Sequence, residues 1–285
     1  MIINVDKPKD LTSRDVVNII CKALNTKKVG HTGTLDPIAT GVLVICVGEA
    51  TKLVEILTSN DKEYIAEIKL GIKTDTGDIT GNIIETKSFN IKKENILIAF
   101  NKFLGDYEQT VPKYSAVKVN GKKLYEYARA AEEVELPKRI VSIKNIELID
   151  YNEDVIKFRV LVSKGTYIRS LIEDICESLN TVGTMNNLTR SRQGIFDIND
   201  SCTLEDIKNN NFKFLTIKES LSNLPTMEIP TEYIDKVKNG AIIPKVFASN
   251  RVVLTNNSKI IAIYKTYEKN HDFAKPYRMF NQENT

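Results

Sequence analysis

After Thr12, the apolar positions Val16, Val17, Ile19, Ile20, Ala23 and Leu24 recur at helical spacing, and Thr12 with Asp15 can cap the turn before them. That pattern predicts a helix over 13–25. The unbroken apolar run Val42-Leu43-Val44-Ile45-Cys46-Val47 predicts a buried strand, followed by a short helix near 50–57. From 64 to 70 the pattern alternates. Tyr64, Ala66, Ile68 and Leu70 fall on one face and Ile65, Glu67 and Lys69 on the other, which predicts a half-buried strand with Tyr64 at its start. A helix over 92–104 and a strand over 155–162 follow. Residues 166–180 place Tyr167, Ile168, Leu171, Ile172, Ile175 and Leu179 on one side of an amphipathic helix after Gly165. Beyond residue 224, Asn239-Gly240 and Asn256-Asn257-Ser258 punctuate short apolar runs such as Val252-Val253-Leu254 and Ile260–Tyr264. That texture predicts a small β-rich domain.

Composition narrows the class. A chain of 285 residues suits one large domain with a small second one. A hydrophobic content of 42% and a charged content of 27% are ordinary for a globular protein. No apolar run approaches the ~20 residues of a membrane span, and no signal-peptide pattern is visible, so a cytoplasmic location is the default expectation. Cys21, Cys46, Cys176 and Cys202 form no Cys-x-x-Cys pair, and the only histidines are His31 and His271. A metal site or disulfide framework is therefore not expected. Net charge is only +3, but residues 113–129 hold Lys113, Lys118, Lys122, Lys123 and Arg129 against Glu126, with Tyr114, Tyr125 and Tyr127 interleaved. Cations can track phosphates while tyrosines stack on bases; a solvated surface segment fits the same composition equally well.

The densest chemistry is in Gly30-His31-Thr32-Gly33-Thr34-Leu35-Asp36-Pro37-Ile38-Ala39-Thr40-Gly41. One carboxylate sits among small residues, and Pro37 pushes Asp36 away from helical geometry. An ordinary Asp-Pro turn has the same composition. Arg169 falls in the first turn of the helix predicted over 166–180, a poor place for a cation on dipole grounds. Such a placement suggests a partner anion, and Asp36 is the obvious candidate. Asp75-Thr76-Gly77 matches the triplet of aspartic proteases, but no second triplet exists to share a proton. A calcium loop starting at Asp75 would need Glu at its twelfth position, where Thr86 stands.

The string around Asp36 resembles the first catalytic motif of the tRNA pseudouridine synthase B (TruB) family. Asp6-Lys7-Pro8 with Thr12-Ser13-Arg14-Asp15, Lys62-Glu63-Tyr64, Thr74–Asp78, Val111–Lys118, Gly121–Arg129, Gly165–Leu171 and Leu188-Thr189-Arg190 resemble further motifs of that family in the same order. The resemblance implies an α+β fold. A large mixed and antiparallel-sheet catalytic domain with flanking helices would cover 1–224, with an RNA-clasping insertion at about 111–140. A small β-rich PUA-like domain would cover 225–285. It also implies conversion of uridine to pseudouridine at position 55 in the T-loop of tRNA, after the base is flipped outward. Asp36 would be the nucleophile, Arg169 its ion-pair partner, and Tyr64 would lie on the target base, with Leu188 on the base's other side. His31 would enter the RNA stack, Thr32 and Gly33 would lie against substrate, and Lys7 and Lys118 would contact the RNA backbone. The chemistry needs no cofactor and no metal, and the expected partner is the T-arm stem-loop of tRNA bound by a monomer. Two alternatives remain at this stage: a guide-RNA-dependent relative of the dyskerin type, and a non-catalytic tRNA-binding or tRNA-folding protein.

Overall fold

The computed structural model describes residues 1–280. The chain opens with β1 (Ile2–Lys7), α1 (Ser13–Ala23), β2 (Val29–His31) and β3 (Thr40–Val47). A 3₁₀ helix (Gly48–Leu53) leads into α2 (Val54–Thr58) and β4 (Lys62–Leu70). β5 (Ile72–Thr74) and β6 (Ile83–Thr86) form a ribbon, followed by α3 (Lys93–Asn101) and β7 (Gly105–Thr110). A second ribbon, β8 (Lys118–Val119) with β9 (Lys122–Lys123), is continued by α4 (Leu124–Arg129). Then come β10 (Lys138–Asn152), β11 (Val155–Val162), α5 (Ile168–Ser178), β12 (Gly183–Gln193) and β13 (Phe196–Asp197). α6 (Leu204–Lys208), α7 (Ile217–Ser220), β14 (Thr226–Glu228), α8 (Ile234–Lys238), β15 (Ile243–Pro244), β16 (Arg251–Asn256), β17 (Lys259–Thr266) and β18 (Phe273–Met279) complete it.

The main sheet has nine strands in the order β1-β3-β12-β4-β11-β10-β7, with β2 beside β3 and β13 beside β12. Its pairings are antiparallel except β12 with β3, where Thr189 lies opposite Thr40 and Arg190 opposite Gly41. A five-stranded sheet, β14-β16-β17-β18-β15, follows at the C-terminal end.

The run 42–47 is apolar without alternation because both faces of β3 are covered. Leu43, Ile45 and Val47 join Ile3 and Val5 in the core beneath α1 and α5. Val42, Val44 and Cys46 join Ile2, Leu53 and the C-terminal residues Val253, Ile260, Ile263 and Phe280 in a second core. Each such aliphatic side chain contributes about 1.5–3 kcal/mol of hydrophobic stabilisation.

Helix ends follow local chemistry. Thr12 accepts from the Asp15 amide at 3.1 Å while the Asp15 carboxylate accepts from the Thr12 amide at 2.9 Å, a reciprocal cap. Two expectations need trimming. The helix read over 50–57 is split between a 3₁₀ and an α segment. The helix read over 92–104 stops at Asn101; the Phe103 amide turns back to Phe100 at 3.0 Å, and Gly105 at φ +92° starts β7.

Candidate active site

Asp36 sits on the connection between β2 and β3. Its neighbours Leu35, Ile38 and Ala39 are buried, and the Ser13 hydroxyl both accepts from the Leu35 amide at 2.9 Å and donates to the Leu35 carbonyl at 3.2 Å. With those anchors pointing in, the carboxylate is the part of the loop left facing out. The Ala39 amide closes the turn on the Asp36 carbonyl at 3.0 Å.

Arg169, the second residue of α5, meets it. The Arg169 Nε lies 3.0 Å from Asp36 Oδ2, and Nη2 donates to Asp36 Oδ1 at 3.3 Å. The same guanidinium donates to the carbonyls of Thr76 at 2.9 Å and Tyr114 at 2.8 Å. The two side chains are unequally open: Arg169 is 7% exposed and Asp36 32%. A fixed cation therefore backs a carboxylate that a ligand can still reach. The cation placed against the helix dipole has the anion expected of it.

Gly77 lets the 74–78 loop come this close. Its φ of +75° is a left-handed conformation that favours glycine and lets the loop turn back over α5. Asp78 braces the loop, its Oδ1 accepting from the Thr80 amide at 3.0 Å and from both the Thr80 and Thr76 hydroxyls. Neither protease nor calcium chemistry is needed to explain Asp75-Thr76-Gly77; the loop's contribution is the Thr76 carbonyl.

Tyr64 and Leu188 lie on the adjacent strands β4 and β12, in the same core as Leu35 and Ile38. Tyr64 is 6% exposed, and among the described residues its hydroxyl has no hydrogen-bond partner. The His31 Nδ1 accepts from the Gly33 amide at 3.3 Å. Burial, then the charges of Arg14 and Arg190, pull its pKa below the ordinary value, so the imidazole is neutral at neutral pH.

Two expected RNA contacts are placed elsewhere. Lys7 is fully buried, and its ammonium donates to the carbonyls of Pro8 at 2.8 Å, Leu11 at 2.6 Å and Pro37 at 3.2 Å. It props the Asp36 loop from beneath and does not face an RNA backbone. Thr32 is fully buried too, its hydroxyl accepting from Gln193 Nε2 at 2.6 Å. The Gly33 carbonyl accepts from Arg190 Nη2 at 3.1 Å. Lys118 is exposed on the β8–β9 ribbon, as a phosphate contact requires. The tyrosines of that segment are engaged internally: Lys122 stands 4.6 Å over the Tyr127 ring, and Lys123 and Arg129 lie 5.3 and 5.4 Å over that of Tyr125.

Sequence reasoning missed Arg190. It is 1% exposed, and its Nε and Nη2 bond the carbonyls of Val42 and Gly33, at the two ends of the Asp36 loop. Gly41 is required there, because a Cβ would lie 2.3 Å from the Arg190 carbonyl oxygen. A buried guanidinium bonded to carbonyls carries a large desolvation cost, and the polar stretch Asn186–Gln193 around it in β12 gave no sign in the sequence that it would be buried.

Comparison with known proteins finds relatives over most of the chain. Residues 21–168 match the family described as TruB family pseudouridylate synthase (N terminal domain). The chain is 44% identical over 244 residues to the tRNA pseudouridine synthase B of Clostridium kluyveri, covering 85% of this chain and 84% of that protein. It is 39% identical over 301 residues to that of Bacillus cytotoxicus, covering 99% and 98%. Among solved structures, the crystal structure of a Cbf5-Nop10-Gar1 complex is similar with TM-score 0.75 and 26% identity, covering 98% of this chain and 84% of that one. The structure of an H/ACA RNP bound to a substrate RNA containing 2'-deoxyuridine is similar with TM-score 0.73 and 25% identity, over the same shares. The α+β fold with a PUA-like C-terminal sheet is the fold of these proteins.

Proposed function

The chain belongs to the TruB family of pseudouridylate synthases, and from that membership we propose that it acts at the T-loop uridine, position 55, with Asp36 as nucleophile. It is an isomerase that converts uridine to pseudouridine in tRNA. The observation that carries the proposed site is the open Asp36 carboxylate held by the buried Arg169 guanidinium.

Isomerisation breaks the bond between uracil N1 and ribose C1' and makes one between C5 and C1'. The hydrogen on C5 is lost and one is gained at N1, so the reaction is redox-neutral and needs no second substrate. A carboxylate attacks only when ionised, and the adjacent guanidinium favours that form. Detaching and turning the base requires that it first leave the RNA stack, which costs on the order of a few kcal/mol. Neutral His31 can take up the vacated stacking position, since an uncharged ring avoids the desolvation cost of a cation. Tyr64, flat and with a free hydroxyl, suits the base's face, and Leu188 the opposite one. The reading extends to a monomer in the cytoplasm, with Lys118 and the 111–140 segment clasping the T-arm. Detaching, turning and rejoining the base call on no cofactor.

The guide-dependent alternative draws on the likeness to ribonucleoprotein components at about a quarter identity; the curated relatives at 39–44% identity favour action without a guide. Release of tritium from C5-tritiated uridine in a tRNA transcript, with purified protein alone, separates the two. Stoichiometric release is expected. Binding without release would reject the stand-alone enzyme.

A further inference from the structure

Gln109 is a fully buried polar side chain that the chemistry above does not use. It lies on β7, one residue before that strand ends and the 111–140 segment begins. Its Oε1 accepts from the Tyr167 amide at 2.8 Å, and its Nε2 donates to the Tyr167 carbonyl at 3.0 Å and to the Tyr107 hydroxyl. One residue on, the Thr110 carbonyl accepts from the Ser170 hydroxyl at 2.8 Å. The start of α5 is therefore pinned to β7 on both sides of Arg169. The same stretch of chain then turns past Pro112 and delivers the Tyr114 carbonyl to Arg169 Nη2. Residues 109–114 and 167–170 thus close a ring of hydrogen bonds around the guanidinium that holds Asp36.

We propose that Gln109 is a positioning residue that links the seating of the 111–140 segment to the aim of Arg169 at Asp36. The proposal rests on the reading of Asp36 and Arg169 as the reacting pair. Gln109 is suited to the task because one planar amide satisfies both the donor and the acceptor of a single backbone residue. Tyr167 cannot then shift along β7 without breaking both hydrogen bonds to Gln109. The other end of the ring is less settled. Among the described residues, the Ser115 hydroxyl, next to Tyr114, is buried without a partner, which marks the root of the segment as the part with an unmet bond. RNA that loads the segment would reach Arg169 through the Tyr114 carbonyl that the guanidinium holds. The link acts on the reacting geometry more than on RNA affinity, since Gln109 itself reaches no surface.

The test is single-turnover conversion of a tRNA transcript, with tRNA affinity and melting temperature measured on the same preparations of wild type, Gln109→Ala and Gln109→Glu. Misplacing a reacting group by ~1 Å costs on the order of 100-fold. The proposal expects Gln109→Ala to lose ~10–100-fold in rate while its Kd for tRNA stays within about 3-fold. Gln109→Glu keeps the acceptor for the Tyr167 amide but sets a second oxygen against the Tyr167 carbonyl, so it should lose at least as much rate as Gln109→Ala. A folded Gln109→Ala with an unchanged rate overturns the proposal, as does a loss that appears only in Kd. If Gln109→Ala does not fold, Gln109→Glu decides by the same criteria. Inactivity of wild type, or full activity of Asp36→Asn, would instead strike down the reading of the reacting pair.

Discussion

Arg169 directs three N–H donors at three targets, the Asp36 carboxylate and the carbonyls of Thr76 and Tyr114, while its Nε pairs with Asp36 Oδ2 at 3.0 Å. That fork is what a lysine cannot reproduce, because an ammonium on a flexible stem has no fixed plane. Arg169→Lys keeps the charge and loses the geometry, so single-turnover conversion should fall on the order of 100-fold with tRNA affinity little changed. An equal loss of rate and affinity would assign Arg169 to RNA binding. His31 leads to a different expectation. Its Nδ1 is occupied as an acceptor, and burial and nearby cations keep its pKa below 6.5. The conversion rate should therefore not drop as the pH falls from neutrality to 6.5. A drop there that His31→Asn removes would show the ring to be charged in the working protein.

At the scale of elements, the Asp36 loop is carried by buried cations that hold backbone carbonyls. Lys62 resembles Lys7 in this. It is 7% exposed, and its ammonium donates to the carbonyls of Thr58 at 3.0 Å and Asn60 at 2.9 Å. Burial, then the charge of Arg190, lowers its pKa from 10.5 to about 8. Between those two values the unfolded chain holds a proton that the folded one has released, so this group's contribution to stability rises with pH across that window and is flat below it. The unfolding free energy of wild type relative to Lys62→Met, from urea titrations, should therefore climb as pH goes from about 8 to 10.5. A difference independent of pH would mean that Lys62 keeps its proton. These cations also explain what the sequence could and could not disclose. Asp36 stood out as a candidate because the whole string around it resembles a family motif, its composition alone fitting an ordinary Asp-Pro turn, and Arg169 because it opposes its own helix dipole. The carbonyls of Thr76, Tyr114 and Pro37 were not, since every residue carries one. Lys7 misleads for a related reason. The family resemblance assigned it to the RNA backbone, and only the fold shows three carbonyls closing over it.

Across the whole molecule, the main sheet and the C-terminal sheet share a core. Ile2, Val42, Val44 and Leu53 pack with Val253, Ile260, Ile263 and Phe280. The seam is also stitched by hydrogen bonds: Lys52 Nζ donates to the Met279 carbonyl and Arg278 Nε to the Lys52 carbonyl, both at 2.8 Å. A division near residue 224, proposed from the change in texture along the chain, therefore separates two sheets that should unfold together. Ile263→Ala is expected to cost roughly 2–5 kcal/mol and to lower one common transition followed by calorimetry. Two separate transitions would show the sheets to be independent. The account as a whole turns on one carboxylate and one nucleotide. Its most direct test is position-resolved mapping of pseudouridine in an unmodified tRNA transcript after incubation with wild type or with Asp36→Asn. Conversion of the single T-loop uridine by wild type, and none by an Asp36→Asn protein that still folds and binds tRNA, is the predicted result. Conversion at another position, or product from Asp36→Asn at the wild-type rate, would contradict it.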